Sequence, residues 1–328
     1  MNPRRAQITL SFSFSVIMIM ILLSPVCADE LLVSTNKLSY GLGATIEVHG
    51  ALSLGGGAVT NGLVAVQIED KLGNLMFIRV AHTGVPPPPW KVRIVEFISC
   101  DLQGNPKTSF RRDSLAYFRF TVENFDNIFE RQVIIALNLF DSVGVSIAVQ
   151  YARVSLSPGK QFTLLTSMPI PSDAFIGSAV GCANALTNWP KDDGYAYCPE
   201  KQVMFNITST GSSQNVTSAL SSTGSEGSYS LSFKLPSTSE VLGNHHVYVS
   251  AQYNAWATTI FDYYWISTDV NRDGAVNIVD ISVAGKAFGT KIGDLKYNRF
   301  ADISGDNAVN ILDLSAIAKD LGKIMRRA

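Results

Sequence analysis

Oxygen-bearing side chains recur at fixed spacing near the C-terminal end of this chain. Asp269 to Asp280 reads D-V-N-R-D-G-A-V-N-I-V-D, and Asp302 to Asp313 reads D-I-S-G-D-N-A-V-N-I-L-D, starting 33 residues later. Each stretch places Asp, Asn or Ser at positions 1, 3, 5, 9 and 12. Hard cations such as Ca²⁺ take roughly six to eight oxygen ligands, and this is the spacing with which an EF-hand loop supplies them. In the first loop the expected ligands are the side chains of Asp269, Asn271, Asp273 and Asp280 and the carbonyl of Ala275, with Asn277 acting directly or through a water. In the second they are Asp302, Ser304, Asp306 and Asp313, the carbonyl of Ala308, and Asn310 at position 9. Two Ca²⁺ ions are therefore expected.

Gly274 falls where the first loop must turn sharply with positive φ, and Asn307 holds that place in the second. Asn is the next most tolerant residue of left-handed backbone, so the second loop should still close, at some cost. Ser304 is also a weaker ligand than Asn, so the second site is expected to bind less tightly. Asp, Asn and Gly clusters usually make ordinary turns. Two matches, each followed by an apolar stretch of helical period, are hard to obtain by chance. Three carboxylates per loop repel one another without a cation, so metal binding should be coupled to folding of this segment.

The elements that must position these loops are short helices. The tails A-V-N-I-V-D-I-S-V-A-G-K-A-F-G and A-V-N-I-L-D-L-S-A-I-A-K-D-L-G align without a gap. Duplicated loops ending in Asp, with V-N-x-x-D, a helix after each and no clear helix before the first, resemble a type I dockerin. Lys296 to Ala301, K-Y-N-R-F-A, resembles the linker before a dockerin's second repeat. The resemblance spans about 267–328 and implies a calcium-dependent module that binds a cohesin on a scaffold protein. It also implies that loop positions 10 and 11 carry cohesin recognition. Here these are Ile278 and Val279, then Ile311 and Leu312, where well-studied cellulosomal dockerins commonly carry a Ser/Thr pair. Either the cohesin face is hydrophobic, or the helices bury these residues within the domain.

The remainder reads as a secreted, mainly β protein. Arg4 and Arg5 precede the apolar run Ile8 to Leu23, and Val26-Cys27-Ala28 puts small residues at −3 and −1 of a cleavage site, so residues 1–28 read as a signal peptide. An uncleaved anchor is the alternative. Loss of two arginines takes the net charge from −1 to −3. No basic run remains, which argues against nucleic acid as a partner.

Strand-like alternation recurs in A-T-I-E-V-H-G, L-V-A-V-Q-I-E-D, L-A-Y-F-R-F-T-V-E-N and H-V-Y-V-S-A-Q-Y, between Gly- and Asn-rich turns. These series resemble macroglobulin-like and adhesion-type Ig-like modules, which implies β-sandwiches. Val85-Pro86-Pro87-Pro88-Pro89 is a stiff linker. Neither 29–89 nor 208–266 holds enough strands for a full sandwich. The expectation is that these two pieces form one Ig-like domain, split by an inserted sandwich over 90–207. Three small domains in series are the alternative. Phe175 to Leu186, rich in small residues, is expected to combine a strand with a short helix.

Cys182 and Cys198 flank the turn-rich N-W-P-K-D-D-G, and a disulfide closing it is the expected arrangement. Two buried thiols, or a bridge to Cys100, are the alternatives. Asn206 and Asn215 head glycosylation sequons. Asp192 and Asp193 are adjacent rather than spaced as a hydrolytic acid pair. No Ser/His/Asp arrangement or histidine metal set is visible. The expected protein is non-catalytic, docks to a cohesin and is associated with the cell surface. The alternative is a carbohydrate-binding or carbohydrate-active component of a polysaccharide-degrading complex, since aromatics cluster from Tyr253 to Trp265. A third reading makes the calcium module a structural cap packed on its own chain.

Overall fold

The computed structural model describes residues 30–323 apart from 86–88, 210–221, 238–240, 265–266, 272 and 274. The signal-peptide reading, Gly274, the Asn215 sequon and most of the polyproline run therefore fall outside the described residues. Among the described residues, no helix is long and apolar enough to cross a membrane.

The alternating segments form strands in chain order: β1 (Glu30–Leu31), β2 (Ser34–Thr35), β3 (Ser39–Gly41), β4 (Ile46–Leu54), β5 (Gly57–Ala58), β6 (Leu63–Glu69), β7 (Leu75–His82), β8 (Val92–Cys100), β9 (Ser109–Arg111), β10 (Ser114–Asn124), β11 (Arg131–Phe140), β12 (Ser146–Leu156), β13 (Gln161–Ile170), β14 (Gly177–Leu186), β15 (Lys201–Thr208), β16 (Ser222–Thr223), β17 (Ser228–Phe233), β18 (Gly243–Ala251) and β19 (Ala255–Tyr264). Two helices follow, α1 (Ile278–Lys286) and α2 (Ile311–Lys319).

The strands make sandwich-like pairs of sheets. One sheet runs β1–β4–β17–β16, with β2 and β5 also on β4, and another runs β3–β19–β18–β6–β7. Both combine strands from before the polyproline run with strands from residue 222 onward. The strands between form the sheets β13–β10–β8 and β12–β11–β14–β15–β9. Pairing is antiparallel except for β3 on β19 and β9 on β15.

Two kinds of strand follow from burial. In β10, Ala116, Phe118, Phe120 and Val122 point into a core while the intervening Tyr117 and Arg119 do not, as period-two alternation requires. In β6 every residue is buried, and in β11 every residue from Val133 on, because both faces of these strands are covered. Their outer faces meet each other: Leu63, Ala65, Ile78 and Val80 pack against Ile134, Ala136, Leu186 and Trp189. On the opposite face of β7 Arg79, fully buried and over the Phe140 ring, makes an ion pair with Glu200 at 2.6 Å. Asn138 accepts the Ile78 N–H at 3.1 Å, and the Ser146 hydroxyl donates to the Met76 carbonyl at 2.9 Å. Such cross-links satisfy polar groups that burial would otherwise make costly.

Three sequence expectations are corrected here. Cys182 and Cys198 are free buried thiols, not a disulfide. Cys182 stands opposite Gln202 on β14 and enters the core built from β4, β6, β17 and β18, whereas Cys198 enters the core between β8, β10 and β11. Burial raises both thiols' pKa, that of Cys198 to about 11. Asn206 lies in β15 between β14 and β9 and is only 2 % exposed, which leaves no room for a glycan in the fold. Gly177 to Leu186 is strand throughout, with no helix. Its small residues suit a central strand covered on both faces, and a Cβ on Gly181 would lie 3.2 Å from Phe97 and Val203.

Candidate calcium centre

Each acidic loop is closed by its own backbone. In the second loop the Asp302 carboxylate accepts the N–H groups of Asp306 (3.1 Å) and Asn307 (2.8 Å), and Asp313 accepts those of Ser304 (2.8 Å) and Asn310 (2.7 Å). In the first loop Asp280 accepts from Asn271 (3.0 Å) and Asn277 (2.8 Å), and Asp269 from Asp273 (3.1 Å). Asp280, Asp302 and Asp313 are essentially fully buried. Carboxylate oxygens of Asp302, Asp306 and Asp313 converge within 4.8 Å of one another. Burial, and then the neighbouring carboxylates Asp313 and Asp306, push the Asp302 pKa above its ordinary value. Gathering acids this way is costly, and a divalent cation is what removes the cost. The donor set is all oxygen, as Ca²⁺ prefers. The ion would supply charge neutralisation and loop closure.

Asn277 and Asn310 have a second role. Their side-chain oxygens accept the N–H groups of Val279 and Leu312, each at 2.8 Å, and so cap α1 and α2. Asp280 and Asp313 return the bond to the cap residues' own N–H groups, completing capping boxes. The amide N–H groups of these asparagines, which cannot ligate a cation, face Asp273 and Asp306 at 3.5 and 3.0 Å. The repeated N-x-x-D was the readable signal for the caps. Asn307 adopts φ +67°, the left-handed conformation expected of it.

The two loops brace each other crosswise. Val276 pairs with the chain after α2, exchanging bonds with Lys323 (2.9 Å) and Gly322 (2.8 Å). Val309 pairs with the chain after α1, at Gly289 and Thr290 (2.8 Å each). Val270, Val276, Ala284, Ala287, Ala301, Val309 and Ile317 form the small core beneath.

Residues 267–322 match the family model of the dockerin type I domain. The chain carries a dockerin type I domain. Dockerin domains bind Ca²⁺ and engage cohesin modules of scaffold proteins. No curated protein matches the chain. Among solved structures, it is similar to the C-terminal domain of wzt (12 % identity, TM-score 0.31, 37 % of this chain and 75 % of that one). It is also similar to the Pseudomonas fluorescens alkylpurine DNA glycosylase AlkC (12 %, 0.27, 37 % and 31 %) and to a Listeria innocua β-glucosidase (7 %, 0.25, 36 % and 16 %).

The dockerin's helix starts are apolar and open. Ile278, Val279, Ile311 and Leu312 are 71, 47, 63 and 61 % exposed, so the helices do not bury them within the domain. Its second repeat, by contrast, leans on the β body. The Tyr264 hydroxyl donates to the Asp302 carbonyl (3.3 Å), Arg299 pairs with Asp262, and the Lys37 ammonium reaches the Ser304 carbonyl (3.5 Å). The Arg299 guanidinium also covers the rings of Tyr264 and Phe300 at 5.5 and 5.0 Å. From the segment just before the loop, the Tyr297 hydroxyl donates to Asp302 at 2.8 Å. Tyr297, Tyr264 and Arg299 were not foreseen from the sequence, because they themselves lie outside the twelve-residue ligand spacing.

Proposed function

We propose that this chain is an exported, non-catalytic component of a cohesin-based assembly. Its dockerin binds two Ca²⁺ ions and seats the Ile278/Val279 and Ile311/Leu312 pairs on a cohesin, which holds the β body on a scaffold at the cell surface. The observation that carries this reading is the exposure of all four apolar side chains beside calcium loops whose acids are buried. Exposed apolar clusters beside charged loops mark interaction sites. We further read the β body as one sandwich interrupted by a second, since β4 pairs with β17 and β6 with β18 across the intervening strands. That body is delivered cargo, stiffened by the packing between its sheets.

The test is capture of the full chain on immobilised cohesin modules and on surface extract of the source cells, with Ca²⁺ and then with chelator. Capture that chelation abolishes is expected. A chain that binds Ca²⁺ but is captured by no cohesin would overturn the docking reading in favour of a structural cap.

A further inference from the structure

We propose that a cleft between the β18–β19 hairpin and the turn at Asp192-Asp193-Gly194 binds one ring of a neutral saccharide. The cleft has a volume of about 230 Å³ and is lined by Asp193, Ala251, Asn254, Ala255 and Trp256. Trp256 is 62 % exposed on the outward face of β19, with Ile260 (48 %) on the same face and Tyr253 (39 %) in the hairpin turn before it. Ligand pockets for larger molecules run to roughly 300–1,000 Å³, so this one suits a single ring.

The walls are built rather than loose. Pro190–Asp192 form a single 3₁₀ turn whose end is capped by Asp193 in the left-handed conformation, φ +58°. The Gly194 N–H is bonded to the Trp189 carbonyl at 2.9 Å. A Cβ on Gly194 would lie 2.1 Å from the Asn188 backbone, so this close approach requires glycine. The Ser250 hydroxyl donates to the Gly194 carbonyl and ties the turn to β18. Lys191 pairs with Glu69 at 2.6 Å and fixes the other side. Asn254, at φ +55°, heads the hairpin opposite.

The chemistry of the lining selects the ligand. A flat indole offers its face to the C–H side of a pyranose ring. The Asp193 carboxylate accepts hydroxyl protons, and the Asn254 amide both donates and accepts. The one formal charge in the lining is negative, which disfavours phosphate, sulfate and uronate groups. The site is independent of the dockerin, so its failure leaves the docking reading untouched.

The experiment is native affinity electrophoresis of the full chain, with Ca²⁺ present, through gels containing hydroxyethylcellulose, xylan, galactomannan or laminarin. Dextran sulfate serves as the acidic control. Wild type should be retarded in at least one neutral gel. Trp256→Ala should weaken that retardation at least about tenfold, and Asp193→Asn should weaken it less. Both variants should keep the wild-type thermal midpoint, since Trp256 is largely exposed and Asn tolerates left-handed backbone. Absence of retardation in every neutral gel, retardation unchanged by Trp256→Ala, or retardation in dextran sulfate alone would each overturn the proposal.

Discussion

Replacing Asn307 with glycine should strengthen the second calcium loop. Asn307 sits at φ +67°, and its side-chain oxygen is buried without a hydrogen-bond partner. Left-handed backbone costs an L residue about 1 kcal/mol, somewhat less for Asn. A buried carbonyl left unpaired costs about 1–3 kcal/mol. Glycine removes both terms and returns about 0.5–1 kcal/mol through the freedom of the unfolded chain. The balance is about 1–3 kcal/mol in favour of Asn307→Gly. The assay is thermal unfolding of the full chain with calcium and with chelator, followed by helix circular dichroism. Both described α-helices belong to the dockerin, so this signal isolates it. For a module of this size each kcal/mol moves the midpoint by roughly 4–8 °C. A midpoint that falls, or weaker binding at the second site, would refute the reasoning. The Asn307 oxygen would then be engaged with a water or the ion rather than stranded.

Four further outcomes are expected. Replacing Ile311 and Leu312 together with serine removes two side chains that docking would finish burying, about 1–2 kcal/mol each, so affinity for a captured cohesin should fall by roughly 30-fold or more. Unchanged affinity after all four apolar residues are replaced would show that the cohesin sits elsewhere. Arg79→Met strands the Glu200 carboxylate in the interior and should cost about 3–5 kcal/mol in denaturant unfolding, with Glu200→Leu in the same chain restoring most of it. Denatured without reductant, Cys100, Cys182 and Cys198 should all alkylate, and a mass short by two hydrogens would contradict the separate thiols. The raised Asp302 pKa gives the ion-free dockerin a contribution that is full in acid and lost as pH climbs through that pKa, because the folded form holds the proton longer. Calcium favours the carboxylate, so the midpoint gap between loaded and chelated protein should widen from acid towards neutrality. A gap independent of pH would contradict the crowding of Asp302, Asp306 and Asp313.

The acidic loops of the dockerin were legible because every candidate ligand of a loop lies within twelve consecutive residues. Spacing, the αL-tolerant Asn307 and the N-x-x-D boxes all act over single turns of chain, where local chemistry decides conformation. The edge-like alternation of β10 was legible for the same reason, since each residue's face follows from its neighbours. β6 and β11 were legible as strands but not as doubly covered ones, because burial of both faces depends on distant residues, and β14 with its small residues imitated a helix in part. Proximity in sequence suggested a Cys182–Cys198 bridge, but Cys182 on β14 and Cys198 in the segment before β15 enter different cores. Ser/Thr spacing marked Asn206 as a sequon, yet pairing on both sides of β15 buries it. Open Ile278, Val279, Ile311 and Leu312, and the hold of Tyr264 and Arg299 on the second repeat, were also decided only in three dimensions. Sequence by itself determined the acidic loops and the caps that close them, where contacts are local. Tertiary structure alone decided which faces are covered, because burial depends on residues far away along the chain.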